Sequence, residues 1–259
     1  MKDYDDLLLP LGRLARQAGD AILEVYAADF RVNTKGDSSP VTEADLRAEG
    51  IILAGLARLT PEIPVISEEA AAAGSLPGLS GNRFWLVDPL DGTKEFVKRN
   101  GEFTVNIALV EDGRPILGVL LAPVLNRLFC GRPGRATRAD GTTPAQPIQC
   151  REAPKGGLVV LSSRSHRDPD RFAEFIGGFP VAEVRQSGSS LKFALIATGE
   201  ADLYPRFGPT SEWDTAAGQA ILEAAGGRVT DVEGNPLAYG KPGFANPSFV
   251  AWGRVSVSL

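Results

Sequence analysis

The chain has 259 residues, with 27 Lys and Arg against 32 Asp and Glu, for a formal net charge of −5. An acidic chain without basic blocks is poorly suited to gripping a nucleic-acid polymer, and no apolar run approaches a membrane span. One histidine (His166) and two cysteines (Cys130 and Cys150) exclude multi-His or multi-Cys zinc sites and a disulfide framework, so any bound cation must be held by oxygen.

The acidic start, with only Leu7-Leu8-Leu9 before Pro10, is neither signal peptide nor anchor, so a reduced cytoplasmic protein without an integral membrane segment is expected. Peripheral attachment to the inner membrane is the alternative to a freely diffusing chain. Leu7, Leu11, Leu14, Ala18, Ile22 and Val25 recur at steps of three and four, which predicts a long amphipathic helix. Asn33 to Pro40 reads as a polar loop. Thr42-Glu43-Ala44-Asp45 has the form of a capping box and opens a second helix to about Leu59. Val65-Ile66 predicts a short strand ending at Ser67-Glu68-Glu69, and Ala70 to Gly81 predicts a loop. Phe84 to Val87 reads as a buried strand ended by Pro89, with Asp88 to Gly92 as the following turn.

Farther on, Phe103, Val105, Ile107 and Leu109 alternate with Thr104, Asn106 and Ala108, the pattern of a half-buried strand. Glu111-Asp112-Gly113-Arg114 is a hairpin turn into Ile116 to Leu121. Pro and Gly cluster from Thr142 to Gly157, which suggests a boundary near residue 152. Beyond it, strands (158–161, 181–184, 201–204, 228–230) alternate with helices that begin at Pro169, Ser189 and about Asp214. The expected architecture is an α+β N-terminal domain, residues 1–152, carrying most of the candidate metal ligands. An α/β C-terminal domain with a mixed or parallel sheet, residues 153–259, would carry the ligand contacts and the last acid.

The densest chemistry lies at Asp88-Pro89-Leu90-Asp91-Gly92-Thr93. Two like charges at 4 Å repel by about 4 kcal/mol at an effective dielectric near 20, so a fold that holds them together needs a cation between them. Taken alone, the segment could equally be a solvated turn. Glu68 at another strand end and Asp214 at a helix start could join it, and Gly92-Thr93 offers backbone N–H groups to an anion. Carboxylates for a metal beside amides for an anion describe a metal-dependent phosphate site. Asp45 has a sufficient structural purpose as the last member of its capping box, and Asp214 as a first-turn helix acid. In the second half, Gly188-Ser189-Ser190-Leu191-Lys192, the donor-rich run around His166, and Tyr204-Pro205-Arg206-Phe207 each adjoin a strand. They could form a basic wall facing the acids, or be an ordinary helix cap, a solvated loop and a core edge.

Glu68-Glu69, Asp88-Pro89-Leu90-Asp91-Gly92-Thr93 and Trp213-Asp214, followed by Ala216-Ala217-Gly218, resemble in order and context the lithium-sensitive, Mg²⁺-dependent phosphatase superfamily that includes inositol monophosphatase. Within it, the segments Trp85 to Phe96, Lys98 to Asn106, Gly188 to Phe193 and Tyr204 to Thr210 look most like the bacterial bisphosphate nucleotidases. The resemblance implies a layered α-β-α-β-α sandwich and hydrolysis of adenosine 3',5'-bisphosphate to AMP and phosphate in sulfur assimilation. It implies one Mg²⁺ on Glu68, Asp88 and the Leu90 carbonyl, and a second on Asp88, Asp91 and Asp214. A third, weaker ion would be reached through Glu68 and water. Thr93 and Asp45 match the pair that orients the attacking water, and Gly92, Thr93, His166, Ser189, Lys192 and Arg206 match substrate contacts. Inositol or fructose-bisphosphate phosphatase activity is the nearest rival, and a non-catalytic Mg²⁺-binding domain a more distant one. A monomer or a homodimer is expected.

Overall fold

The computed structural model describes residues 4–34, 40–79, 81–164 and 168–255. In chain order the first elements are α1 (Tyr4–Ala27), β1 (Val32–Thr34), β2 (Pro40–Thr42), α2 (Glu43–Leu59), β3 (Val65–Ser67) and α3 (Glu68–Ala72). Next come β4 (Arg83–Asp91), α4 (Thr93–Val97), β5 (Thr104–Glu111), β6 (Arg114–Ala122), β7 (Arg127–Arg132), β8 (Arg135–Asp140) and β9 (Gln146–Pro147). The chain continues through β10 (Leu158–Ser163), α5 (Pro169–Ile176), β11 (Val181–Ser187), α6 (Leu191–Ala197), β12 (Leu203–Arg206), α7 (Glu212–Ala224), β13 (Arg228–Asp231) and β14 (Phe249–Trp252).

Strands β3 to β9 form one sheet in sequential order, with β3 parallel to β4 and the later neighbours antiparallel. The second sheet runs β11-β10-β12-β14-β13, parallel across β11, β10 and β12 and antiparallel at β14. On one face of the first sheet, Leu11 and Ile22 of α1 and Ile52 and Leu56 of α2 pack with Trp85, Val105 and Ile107. Helices α6 and α7 fill the space between the sheets, where Phe193, Ala217 and Ile221 share a core with Leu86 and Ala108 on one side and Tyr204 and Phe249 on the other. Phe172 and Phe175 of α5 cover the outer face of the second sheet against Val160, Leu203 and Trp252. The result is the layered α-β-α-β-α sandwich.

Several local expectations need correction. Strand β4 does not stop at Val87 but continues through Pro89 to Asp91, because the proline sits in a register shift against β5, where its missing N–H removes no regular ladder bond. Strand β5 is not half-buried: it is buried along both faces from Thr104 to Val110, since helices cover the sheet on both sides. Residues Ala70 to Ala72 belong to α3 rather than to a loop. Asn33, Thr34 and Pro40 lie in the β1–β2 hairpin, while 35–39 of the expected polar loop fall outside the described residues. The hairpin turn between β5 and β6 is as expected, with Asp112 (φ 51°) and Gly113 (φ 73°) both left-handed as a type I' turn requires.

The position of α7 depends on two glycines. A Cβ on Gly118 would overlap the Ala217 carbonyl, and one on Gly131 would overlap the backbone of Ala220 and Ile221. Without side chains at these two points, α7 lies directly on β6 and β7, which fixes where its N-terminus presents Asp214.

Candidate metal and phosphate site

The register shift in β4 is what makes a site possible. Residues three apart in a regular strand point to opposite faces. Asp88 pairs with Asn106 and Asp91 with Thr104, so three steps on β4 answer two on β5 and the extra residue turns both carboxylates to one side. The Asp88 carboxylate folds back to accept the Leu90 N–H at 3.0 Å, and the side chain is 1% exposed. Asp91 Oδ2 accepts both the backbone N–H and the hydroxyl of Ser190, each at 2.5 Å, and lies 3.4 Å from Asn106 Nδ2. Ser190 thereby ties the end of the first sheet to the start of α6.

Asp214 is the third residue of α7, and its Oδ2 accepts the Ser211 N–H at 2.8 Å in a capping box. Carboxylate oxygens of Asp88, Asp91 and Asp214 all lie within 4.8 Å of one another. Glu68, at the first position of α3, lines the same cleft and acts electrostatically on all three acids. Burial, then the charges of Glu68, Asp91 and Asp214, push Asp88 well above the usual carboxylate range. Burial, Asp91 and Glu68 do the same to Asp214. Asp91 is also raised, chiefly by burial, against the opposing pull of Ser190 and Lys192. Four acids (Glu68, Asp88, Asp91 and Asp214) brought together against their own repulsion, with oxygen donors only, fit a hard divalent cation.

Asp45 opens α2 in a second capping box: Oδ2 accepts the Thr42 N–H and hydroxyl, both at 2.8 Å. Its Oδ1 is 3.2 Å from Thr93 Oγ1, which is also 3.2 Å from the Leu90 carbonyl oxygen. The capping box that gives Asp45 a structural purpose therefore also aims it at Thr93. Gly92 (φ 93°) adopts the left-handed backbone that starts α4, and a Cβ there would crowd Ser189 and the Glu102 carbonyl.

The same cleft, of about 590 Å³, is also lined by Ser189, Lys192 and Arg206. Lys192 is 3% exposed, donates to the Ser189 and Ser187 carbonyls at 2.5 and 3.2 Å, and stands 4.9 Å from the Tyr204 ring centre. Burial pushes its ammonium down to about 8, partly offset by the Asp91 charge. Arg206 donates to the Gly208 and Pro209 carbonyls at 3.2 and 2.7 Å. His166 lies outside the described residues. The remaining expected positions (Asp45, Glu68, Asp88, Leu90, Asp91, Gly92, Thr93 and Asp214) converge on the cleft or on a residue that lines it.

Sequence reasoning assigned no role to Ser190, Asn106, Glu102 or Glu49. Glu102 accepts the Gly188 N–H at 2.7 Å and pairs with Arg164 at 2.5 Å, which steadies the turn before Ser189. Each of these contacts spans a long stretch of chain, so no local pattern announces it.

The model of the inositol monophosphatase family matches residues 3–255. The 3'(2'),5'-bisphosphate nucleotidase CysQ of Escherichia coli K12 is 50% identical over 248 residues, covering 95% of this chain and 97% of that protein. Its namesake in Salmonella typhimurium is 52% identical over 240 residues, covering 92% and 96% of the two chains. Among solved structures, CysQ from Bacteroides thetaiotaomicron superposes with a TM-score of 0.77 at 36% identity, over 94% of this chain and 95% of the other. Inositol monophosphatase from Anabaena gives 0.76 at 28% identity, over 96% and 92%.

Proposed function

The chain belongs to the inositol monophosphatase family, and on that basis we propose that it acts as a 3'(2'),5'-bisphosphate nucleotidase. It hydrolyses 3'-phosphoadenosine 5'-phosphate to AMP and phosphate in sulfur assimilation. The observation that carries this reading is that one cleft is lined both by members of the acidic cluster and by the two cations Lys192 and Arg206. A substrate bearing two phosphates can then set one at the metal-binding acids and offer the other to the cations.

In this reading Glu68, Asp88 and the Leu90 carbonyl would hold one Mg²⁺, Asp88, Asp91 and Asp214 would hold a second, and Glu68 would reach a third, weaker ion through water. Bound ions supply Lewis acidity, lowering the pKa of water and neutralising phosphoryl oxygens. The protein's own groups do the rest. Thr93 Oγ1 accepts a proton of the attacking water while donating to Asp45 Oδ1, which orients the water along the line of displacement. Gly92 and Thr93 offer backbone N–H groups to the reacting phosphate. Ser189, Lys192, Arg206 and His166 contact the nucleotide and its second phosphate. A cytoplasmic location and a monomeric or homodimeric state accompany this reading.

The test is a phosphate-release panel at saturating Mg²⁺ comparing 3'-phosphoadenosine 5'-phosphate, inositol 1-phosphate and fructose 1,6-bisphosphate, with and without Li⁺. One well-made charge-assisted contact to the second phosphate is worth about 1.5–3 kcal/mol, so kcat/KM for the nucleotide should exceed that for inositol 1-phosphate at least about tenfold. Equal or greater turnover of inositol 1-phosphate would overturn the substrate assignment.

A further inference from the structure

Helix α2 carries a second carboxylate, Glu49, one turn beyond Asp45 and on the same side of the helix. Its partners are in neither α2 nor the catalytic pair. Glu49 Oε1 accepts the hydroxyl of Ser67 at 2.5 Å and the backbone N–H of Ala70 at 3.3 Å. Ser67 is the N-cap of α3, is fully buried, and makes no side-chain cap of its own. The N-terminal N–H groups of a helix need an acceptor, and here α2 supplies it from outside. Between the two groups held by Glu49 lies Glu68, the acid that α3 brings to the cleft.

We propose that Glu49 is a positioning residue for the metal site, fixing the backbone on both sides of Glu68 so that its carboxylate is presented to the cation. The inference rests on the reading that Glu68 is a metal ligand. It makes α2 a common mount: Asp45 holds Thr93 for the attacking water, and Glu49 sets the α3 ligand at a fixed offset from it. Both bonds fall on one carboxylate oxygen, so a neutral amide oxygen can replace it, whereas an electrostatic role would need the charge. Partners that orient a metal ligand typically matter by about 10–100-fold in metal affinity or activity.

The experiment is calorimetric titration of the full-length, metal-stripped protein with Mg²⁺ alone, paired with kcat and KM at saturating Mg²⁺, for Glu49→Ala, Glu49→Gln, Ser67→Ala and, as reference, Asp88→Asn. Glu49→Ala is expected to weaken Mg²⁺ binding about tenfold while kcat at saturating Mg²⁺ stays within about twofold. Glu49→Gln should bind nearly as the parent does. Ser67→Ala, which deletes only the hydroxyl half of the cap, should weaken binding about threefold and serves if Glu49→Ala does not fold. Parental affinity in Glu49→Ala and Ser67→Ala, with binding lost in Asp88→Asn, would overturn the inference and leave the metal site standing. Equal losses in Glu49→Gln and Glu49→Ala would overturn it too, by showing that the charge acts. Parental affinity in Asp88→Asn would instead bring down the metal-site reading beneath it.

Discussion

Asp45 and Asp214 hold equivalent places at the heads of two different helices. Each is the third helical residue, with one carboxylate oxygen on the N-cap N–H. That double use explains why the sequence alone left both ambiguous: a capping box accounts for the residue without any chemistry. The clustered acids were legible because Asp88 and Asp91 lie in one short segment with Gly92 and Thr93. Ser190 was not, since its bond to Asp91 closes 99 residues of chain. Asp88→Asn should lower kcat on the order of 10³-fold, the scale on which loss of one preorganised group is felt. Its metal-free melting temperature should hold or rise, because a buried like charge has been removed. Steady-state kinetics with thermal denaturation tests both parts, and near-parental turnover at saturating Mg²⁺ counts against a shared Asp88. Thr93→Ala should cut kcat about 10²-fold, typical of a lost proton-accepting contact, while calorimetric Mg²⁺ affinity is unchanged.

Helix and strand identities were mostly readable from apolar periodicity, because α1 and α2 each bury one face. Where the reading failed, the cause was tertiary. Alternation in β5 looked half-buried because Thr104 and Asn106 are polar, yet those positions face the inter-sheet layer and the site rather than water. The proline in β4 suggested an end where the strand makes a bulge, and that bulge is the device that brings Asp88 and Asp91 together. Strand β14 gave little signal, being only Phe249–Trp252, and it pairs between β12 and β13. Two glycine substitutions separate packing from propensity. Gly131→Ala must displace the backbone of α7 and should destabilise the fold by about 1–3 kcal/mol in urea denaturation, with lower activity because Asp214 moves too. Gly50→Ala, within α2 and with open space around it, should instead stabilise by about 0.5–1 kcal/mol.

For the molecule as a whole, the acidic cluster links stability to pH and to metal. Asp88 and Asp214 carry folded-state pKa values raised well above their unfolded ones. The stability tied to their protonated forms is complete below the unfolded value and is lost as pH rises through the folded value. The metal-free protein should therefore melt lower at about pH 8 than its other groups alone would dictate, and Mg²⁺ should raise Tm more at about pH 8 than at about pH 5. Lys192, pushed down to about 8, titrates above most of that window. Differential scanning fluorimetry with chelator or Mg²⁺ at both pH values checks this, and a pH-independent Mg²⁺ shift would contradict it. The α6–α7 layer bears on how ligands come and go. Phe193, Ala217 and Ile221 are buried among side chains from both sheets, so swinging one wall of the cleft from the other would mean drawing them out of a dry core. The cleft is thus a fixed bore rather than a jaw. Ligand exchange should therefore proceed without either sheet moving against the other.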